Sequence, residues 1–225
     1  MKNTKWMLAS LLLLACNNVA LAQTKKPGSA VLVAQTTIPA AQERADKGAA
    51  ALDTQREKRA LQVFLKLGQT LIASAADAMP ADKYGFAPTD GEFKGVRTFG
   101  QQVKHLAATN HILAAAALGE EPPTGAGDEM GPETVRTKAE ILDYLNGSFE
   151  HLARAIAAIG DQAAAVRSSP ISPLRGTEVT RLTLTVEAMI HAFDHYGQMV
   201  EYLRMNGVAP PASQPAIKWG LVSWF

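Results

Sequence analysis

The sequence predicts an all-α protein, a four-helix bundle. Three observations carry this. Ala and Leu dominate while aromatic residues make up only 6% of the chain, a mix that favours helices over sheets. Four segments carry apolar residues at three- and four-residue spacing, with no convincing strand between them,. Glycines, prolines and capping residues punctuate those segments. Helices of that number and length pack as a bundle.

Residues 1–22 read as an address rather than part of the fold. Lys2 and Lys5 form a short basic region before the apolar run Trp6 to Ala15, which is too short to span a bilayer stably. Ala20-Leu21-Ala22 supplies small residues where a signal peptidase reads,. Export to the periplasm or outside, with a mature start at Gln23, is the expectation. Leu13-Leu14-Ala15-Cys16 resembles a lipobox, so a lipoprotein anchored through Cys16 is the competing outcome,. Cys16 is the only cysteine. Cleavage after Ala22 leaves no thiol, which excludes disulfides, thiolate ligands and a cysteine nucleophile.

Residues 23–50 mix Lys, Pro, Thr, Gln and Ala with few large apolar groups and read as a flexible tether,. The bundle itself is expected over 51–213, with an apolar tail at 214–225. The first helix, roughly 51–78, presents Leu61, Phe64, Leu65, Leu71, Ile72 and Ala75 and stops at Pro80,. The second, roughly 98–118, opens with a capping box of Thr98 and Gln101, and Gly119 follows its last turn,. The third, roughly 137–159, opens with Thr137 and Glu140 and is closed by Gly160. The fourth, roughly 177–206, ends at Asn206-Gly207.

Charge excludes some partners. Lys plus Arg is 22 against 21 for Asp plus Glu, so the chain carries no electrostatic footprint for nucleic acid. With 47% hydrophobic residues over 225 positions, one domain with a real core is expected.

The fourth helix carries the chemistry. His191 and His195 are four apart, which places them ~40° apart on one face, and such a pair can bite one metal ion. Glu187, Gln198 and Tyr202 share that face. A separate apolar stripe runs Leu182, Val186, Met189, Phe193, Tyr196, Val200, Leu203. If the histidines point inward, part of that stripe faces outward, which predicts a homodimer through this helix. The competing account makes the stripe the core and the histidines a solvated face. Two ligands do not make a site, and the third could be His105, His111 or His151. Ala192 follows His191, so a zincin is excluded. The residues three before the histidines are Gln102, Ala108, Ser148, Ala188 and Ala192, so a di-iron carboxylate site is excluded too. A covalent haem motif is absent, and no His–Met pair is singled out for a non-covalent haem.

The chain also resembles the DinB/YfiT-like family over roughly 51–213. The resemblance rests on Ala78-Met79-Pro80, Phe86-Ala87-Pro88, the run Thr98-Phe99-Gly100-Gln101-Gln102-Val103-Lys104-His105, and His191-Ala192-Phe193-Asp194-His195-Tyr196-Gly197-Gln198 leading into Asn206-Gly207 and Pro210-Pro211. It implies a four-helix bundle with one divalent metal on His105, His191 and His195, zinc first and nickel or iron(II) as alternatives. Nothing in the periodicity of the second helix singles out His105, and His111 and His151, which match no family position, read as surface histidines. The resemblance further implies thiol-dependent transfer or isomerisation at the metal; an open coordination position can also activate water, so the expectation is a metal-dependent transferase or hydrolase acting on an unknown small molecule. A non-catalytic metal-binding or structural bundle is the alternative, and the catalytic residues stay unassigned. Export argues against a reaction that needs a cytosolic thiol. Asp194 and Glu187 are candidates to fix an imidazole's tautomer.

Overall fold

A computed structural model of the protein describes residues 38–126, 128–160, 166, 169, 171–174 and 179–213. The expected signal sequence (1–22), the tether up to residue 37 and the tail (214–225) lie outside the described residues. Contacts divide the chain into Met1–Gln42 and Glu43–Phe225. The bundle belongs to the second unit, and the first unit holds the opening residues of the first helix.

Among the described residues the structure is all-helical: α1 (Ile38–Ala78), α2 (Phe99–Leu118), α3 (Lys138–Ala157) and α4 (Arg181–Met205), with one-turn 3₁₀ helices at Ala81–Lys83 and Pro211–Ser213. None of the helices is long and apolar enough to cross a membrane. The first boundary corrects the sequence expectation. α1 begins at Ile38, so residues 38–50 are helix rather than tether. From Ala40 to Ala50 its opening stretch is mostly Ala, Gln, Glu, Arg and Lys, good helix formers that outnumber Asp46 and Gly48, so propensity carries the helix on without burial. Pro39 is tolerated because it falls in the first turn. The residues from Ala40 to Ala50 are all exposed. Further along, Leu61, Leu65, Ile72 and Ala75 enter the core as expected, whereas Phe64 is 54% exposed.

α2 is the central helix. It packs against both α3 and α4, and sixteen of its twenty residues are buried. Both expected capping boxes form. Thr98 accepts from Gln101 N while Gln101 Oε1 accepts from Thr98 N, and Thr137 and Glu140 do the same for α3. Gly119 caps α2 in the left-handed conformation at φ 75°, as its lack of Cβ allows. α3 ends at Ala157 with Ala158 as its cap, so Gly160 lies beyond the helix end.

The connection from α1 to α2 is pinned from both sides, and that sets the entry of α2. Tyr84 Oη donates to Ala76 O at 2.7 Å, the Tyr84 ring packs edge-on against Phe99, and Gly100 N donates to Tyr84 O at 2.8 Å. A Cβ at position 100 would stand 3.2 Å from that same carbonyl, so glycine lets the two backbones approach without displacing Tyr84. Tyr202 of α4 completes the arrangement by donating to Arg97 O. It therefore belongs to the core edge, not to an open histidine face.

The apolar stripe of α4 is half-buried from Leu182 to Val200, and only Leu203 at its end is fully buried. The innermost line is instead Leu184, Ala188, Ala192, His195 and Met199. The histidine face and the apolar stripe are thus two flanks of a small-residue seam. Phe193 covers Gly68 of α1, where an added Cβ would lie 3.6 Å from its ring.

Candidate metal centre

The seam explains how three distant histidines meet. Ala188 and Ala192 are buried beside His191 and His195, and small side chains there let α4 approach α2. His105 reaches across from α2. His191 Nε2 stands 3.2 Å from His105 Nε2 and 2.9 Å from His195 Nε2. All three ligating atoms lie within 4.8 Å of one another. Two nitrogens bound to one ion at about 2.0–2.1 Å stand roughly 3.0–3.4 Å apart, so the spacing fits a shared cation. His105 is 4% exposed and His195 7%, which removes the solvated-face account of the α4 histidines.

The surroundings say which nitrogens are free. His105 Nδ1 lies 2.9 Å from Glu129 O. A carbonyl can only accept, so Nδ1 carries the proton and Nε2 keeps its lone pair. Glu129 reaches this position with φ 64°, a left-handed conformation that a non-glycine residue adopts only at a cost of about 1 kcal/mol or more. Its carboxylate stands 3.8 Å from the same ring. On the other side, Gln102 Nε2 lies 2.5 Å from His195 Nδ1 and donates to Gln198 Oε1, while Gln198 Nε2 donates to Asp194 Oδ2. For His195 Nε2 to ligate, Nδ1 must carry the proton, so the Gln102 amide must turn its oxygen toward the ring. His191 Nδ1 is buried without a partner.

Three imidazole nitrogens turned on one another in a buried place cannot satisfy each other with the protons of neutral rings. Burial is the largest cause of their lowered pKa values. It brings His191 to about 3, with help from His195 and His105. It brings His195 to about 4, with help from His105 and against the pull of Asp194. His105 is lowered as well, burial again outweighing the Glu129 carbonyl. All three rings are therefore neutral at pH 7, the state a metal requires. The Arg97 charge lowers each of them further, so its guanidinium sits close to the cluster.

Of the two carboxylates expected to orient a ring, Asp194 acts on His195 through its charge, which opposes the effect of burial. Glu187 does not touch the cluster: it accepts from Ser172 Oγ at 2.8 Å. His111 and His151 are not on the surface. They are 8% and 7% exposed: His111 because α2 is buried nearly all round, and His151 because it faces His111 across the α2–α3 contact. Sequence reading also missed Gln102, Glu129 and Arg97. Gln102 lies one turn before His105 and is 2% exposed, but Gln101, Lys104, Thr109 and Asn110 share its helix, so its polarity alone does not single it out.

A cavity of about 670 Å³ is lined by Arg97, Gln102, Met130, Gln198 and Tyr202 among others and by none of the three histidines; Gln102, which touches His195 Nδ1, connects it to the cluster. Together these features define a class: an all-helical bundle with a trihistidine cluster that could hold one cation beside a pocket. The chain belongs to the DinB superfamily, whose sequence profile matches residues 65–199. The fold is similar to that of a crystal structure described as a DinB family member from Exiguobacterium sibiricum, with a TM-score of 0.50 and 19% identity over 67% of this chain and 92% of that one. No curated protein matches the chain.

Proposed function

We propose that His105, His191 and His195 bind one divalent metal ion, zinc in the first instance, and that the loaded protein is an enzyme acting on a small anionic molecule. The convergence of the three Nε2 atoms carries this reading. An ion on three neutral imidazoles supplies Lewis acidity and keeps a coordination position open. Arg97 supplies the substrate class. Its Nε is buried without a hydrogen-bond partner, and no ion pair to it is found among the described residues. It lines the pocket, where a substrate carboxylate or phosphate would meet it. Gln102 and Gln198 line the same pocket and offer neutral hydrogen bonds. The export expected from residues 1–22 favours water over a low-molecular-weight thiol as co-reactant, and hence hydrolysis over thiol transfer.

The test is a panel of small carboxylate- and phosphate-bearing esters and amides offered to zinc-loaded protein. Metal-dependent turnover is expected, with KM raised roughly tenfold or more in Arg97→Gln, as removal of a charged hydrogen bond predicts. Stoichiometric loading without turnover on any member would leave the non-catalytic bundle as the better account.

Pairing through helix α4 is part of the same proposal. Its outer flank is half-buried at best, and Ile190 on that flank is 67% exposed. Because Phe193 already contacts α1, Ile190→Glu is the cleaner probe: a folded monomer is expected in sedimentation velocity against a wild-type dimer. A monomeric wild type would end the idea.

A further inference from the structure

We propose that His111 and His151 form a second, weaker divalent-metal site between α2 and α3, with Glu120 holding the His151 ring. The two Nδ1 atoms face one another at 3.0 Å, and both side chains are more than nine-tenths buried. A neutral imidazole has one N–H and one lone pair. His151 Nε2 is buried and has no hydrogen-bond partner. Glu120 Oε2 stands 3.5 Å from it. That carboxylate favours the tautomer with its proton on Nε2, the arrangement by which carboxylates orient metal-binding histidines. Nδ1 of His151 is then a lone pair aimed at His111. The His111 ring lies against the Tyr144 ring, centroids 5.0 Å apart. The His151 proton is thus directed away from its partner, and a cation fits where the two Nδ1 atoms converge.

The remaining chemistry is compatible. Burial, and then the neighbouring His151, hold His111 down to about 4, so its lone pair is available at neutral pH. The 3.0 Å separation falls within the roughly 3.0–3.4 Å that two nitrogens on one ion show. A cavity of about 330 Å³ opens on the pair and is also lined by Glu121 and Glu150. Arg154 grips both oxygens of Glu120 at 2.8 and 2.6 Å, which fixes that carboxylate beside His151. Imidazole ligands suit copper(II), nickel(II) or zinc(II). The site is separate from the trihistidine cluster, since His111 lies six residues, about 9 Å along α2, beyond His105. Having two histidines rather than three makes it the weaker site.

Zinc(II) titration of the full chain against a competing chromophoric chelator tests it. Wild type should bind two equivalents, one tight and one weak. His111→Gln/His151→Gln should lose only the weak one, and His105→Ala/His191→Ala/His195→Ala only the tight one. Glu120→Gln, an exposed substitution that leaves both histidines in place, should weaken the weak site about tenfold or more. Copper(II) added to the triad variant should give an electron paramagnetic resonance spectrum with two nitrogen ligands. The proposal is overturned if the histidine-pair variant still binds two equivalents, if Glu120→Gln leaves the weak site unchanged, or if the folded triad variant binds no metal. Retention of the tight equivalent by the triad variant would instead overturn the first site and leave this one standing.

Discussion

Replacing His195 with Ala is expected to strip the tightly bound metal from the protein. Tag-free wild type, dialysed against a weak chelator, should retain about one equivalent, and His195→Ala only a small fraction of one. The size of the effect follows from which contact is lost. Removing a hydrogen-bond partner behind a ligand costs about 10–100-fold in affinity; removing the ligand itself takes away a direct bond and should cost more. The remaining pair, His105 and His191, has Nε2 atoms 3.2 Å apart, and two ligands without a carboxylate make a weak site. Gln102→Ala should fall between wild type and His195→Ala, because it touches His195 Nδ1 at 2.5 Å without facing the cation. Elemental analysis of the three proteins, side by side, checks the order. Equal metal in wild type and His195→Ala would refute the trihistidine site.

That ordering was only partly legible in the sequence. The spacing of His191 and His195 was visible because a helix repeats every 3.6 residues and the surrounding positions of α4 differ in polarity. His105 was not visible in that way. α2 is buried on almost every side, so a periodicity that separates inner from outer faces has nothing to separate, and only the resemblance placed His105. The same cause hid His111 and, across the α2–α3 contact, His151. The starts of α2 and α3 were legible because Thr98 with Gln101 and Thr137 with Glu140 satisfy backbone donors locally, within one turn. The start of α1 was not, because Ile38 to Ala50 is held by helix propensity rather than by apolar contacts. Glu129 was beyond reach: its contribution is a backbone carbonyl in a left-handed conformation, which no side-chain pattern encodes.

Metal-free protein is expected to lose its stability steeply between about pH 6.5 and pH 4. All five histidines of the chain have lowered pKa values, with burial the first cause in each. His191 falls to about 3, and His195 and His111 to about 4, while His105 and His151 shift in the same direction. In the unfolded chain each returns to its ordinary value near 6.5. Below that value the unfolded state takes up protons that the folded state refuses, so stability falls as pH drops and rises with pH through the same window. Above about pH 7 neither state binds the protons, and the effect vanishes. Each histidine contributes up to about 1.4 kcal/mol per pH unit within its own window. Several acting together amount to a few kcal/mol per pH unit, against a total stability on the order of 5–15 kcal/mol. Thermal melts of chelator-treated protein from about pH 8 to about pH 4 should therefore show a plateau above about pH 7 and a fall that ends in unfolding around pH 5. Zinc should raise the melting temperature most at about pH 7–8, since at lower pH protons compete for the ligands. A melting temperature that stays level from about pH 7 to about pH 5 would mean that the histidines titrate as exposed groups, and the buried cluster would be wrong with them.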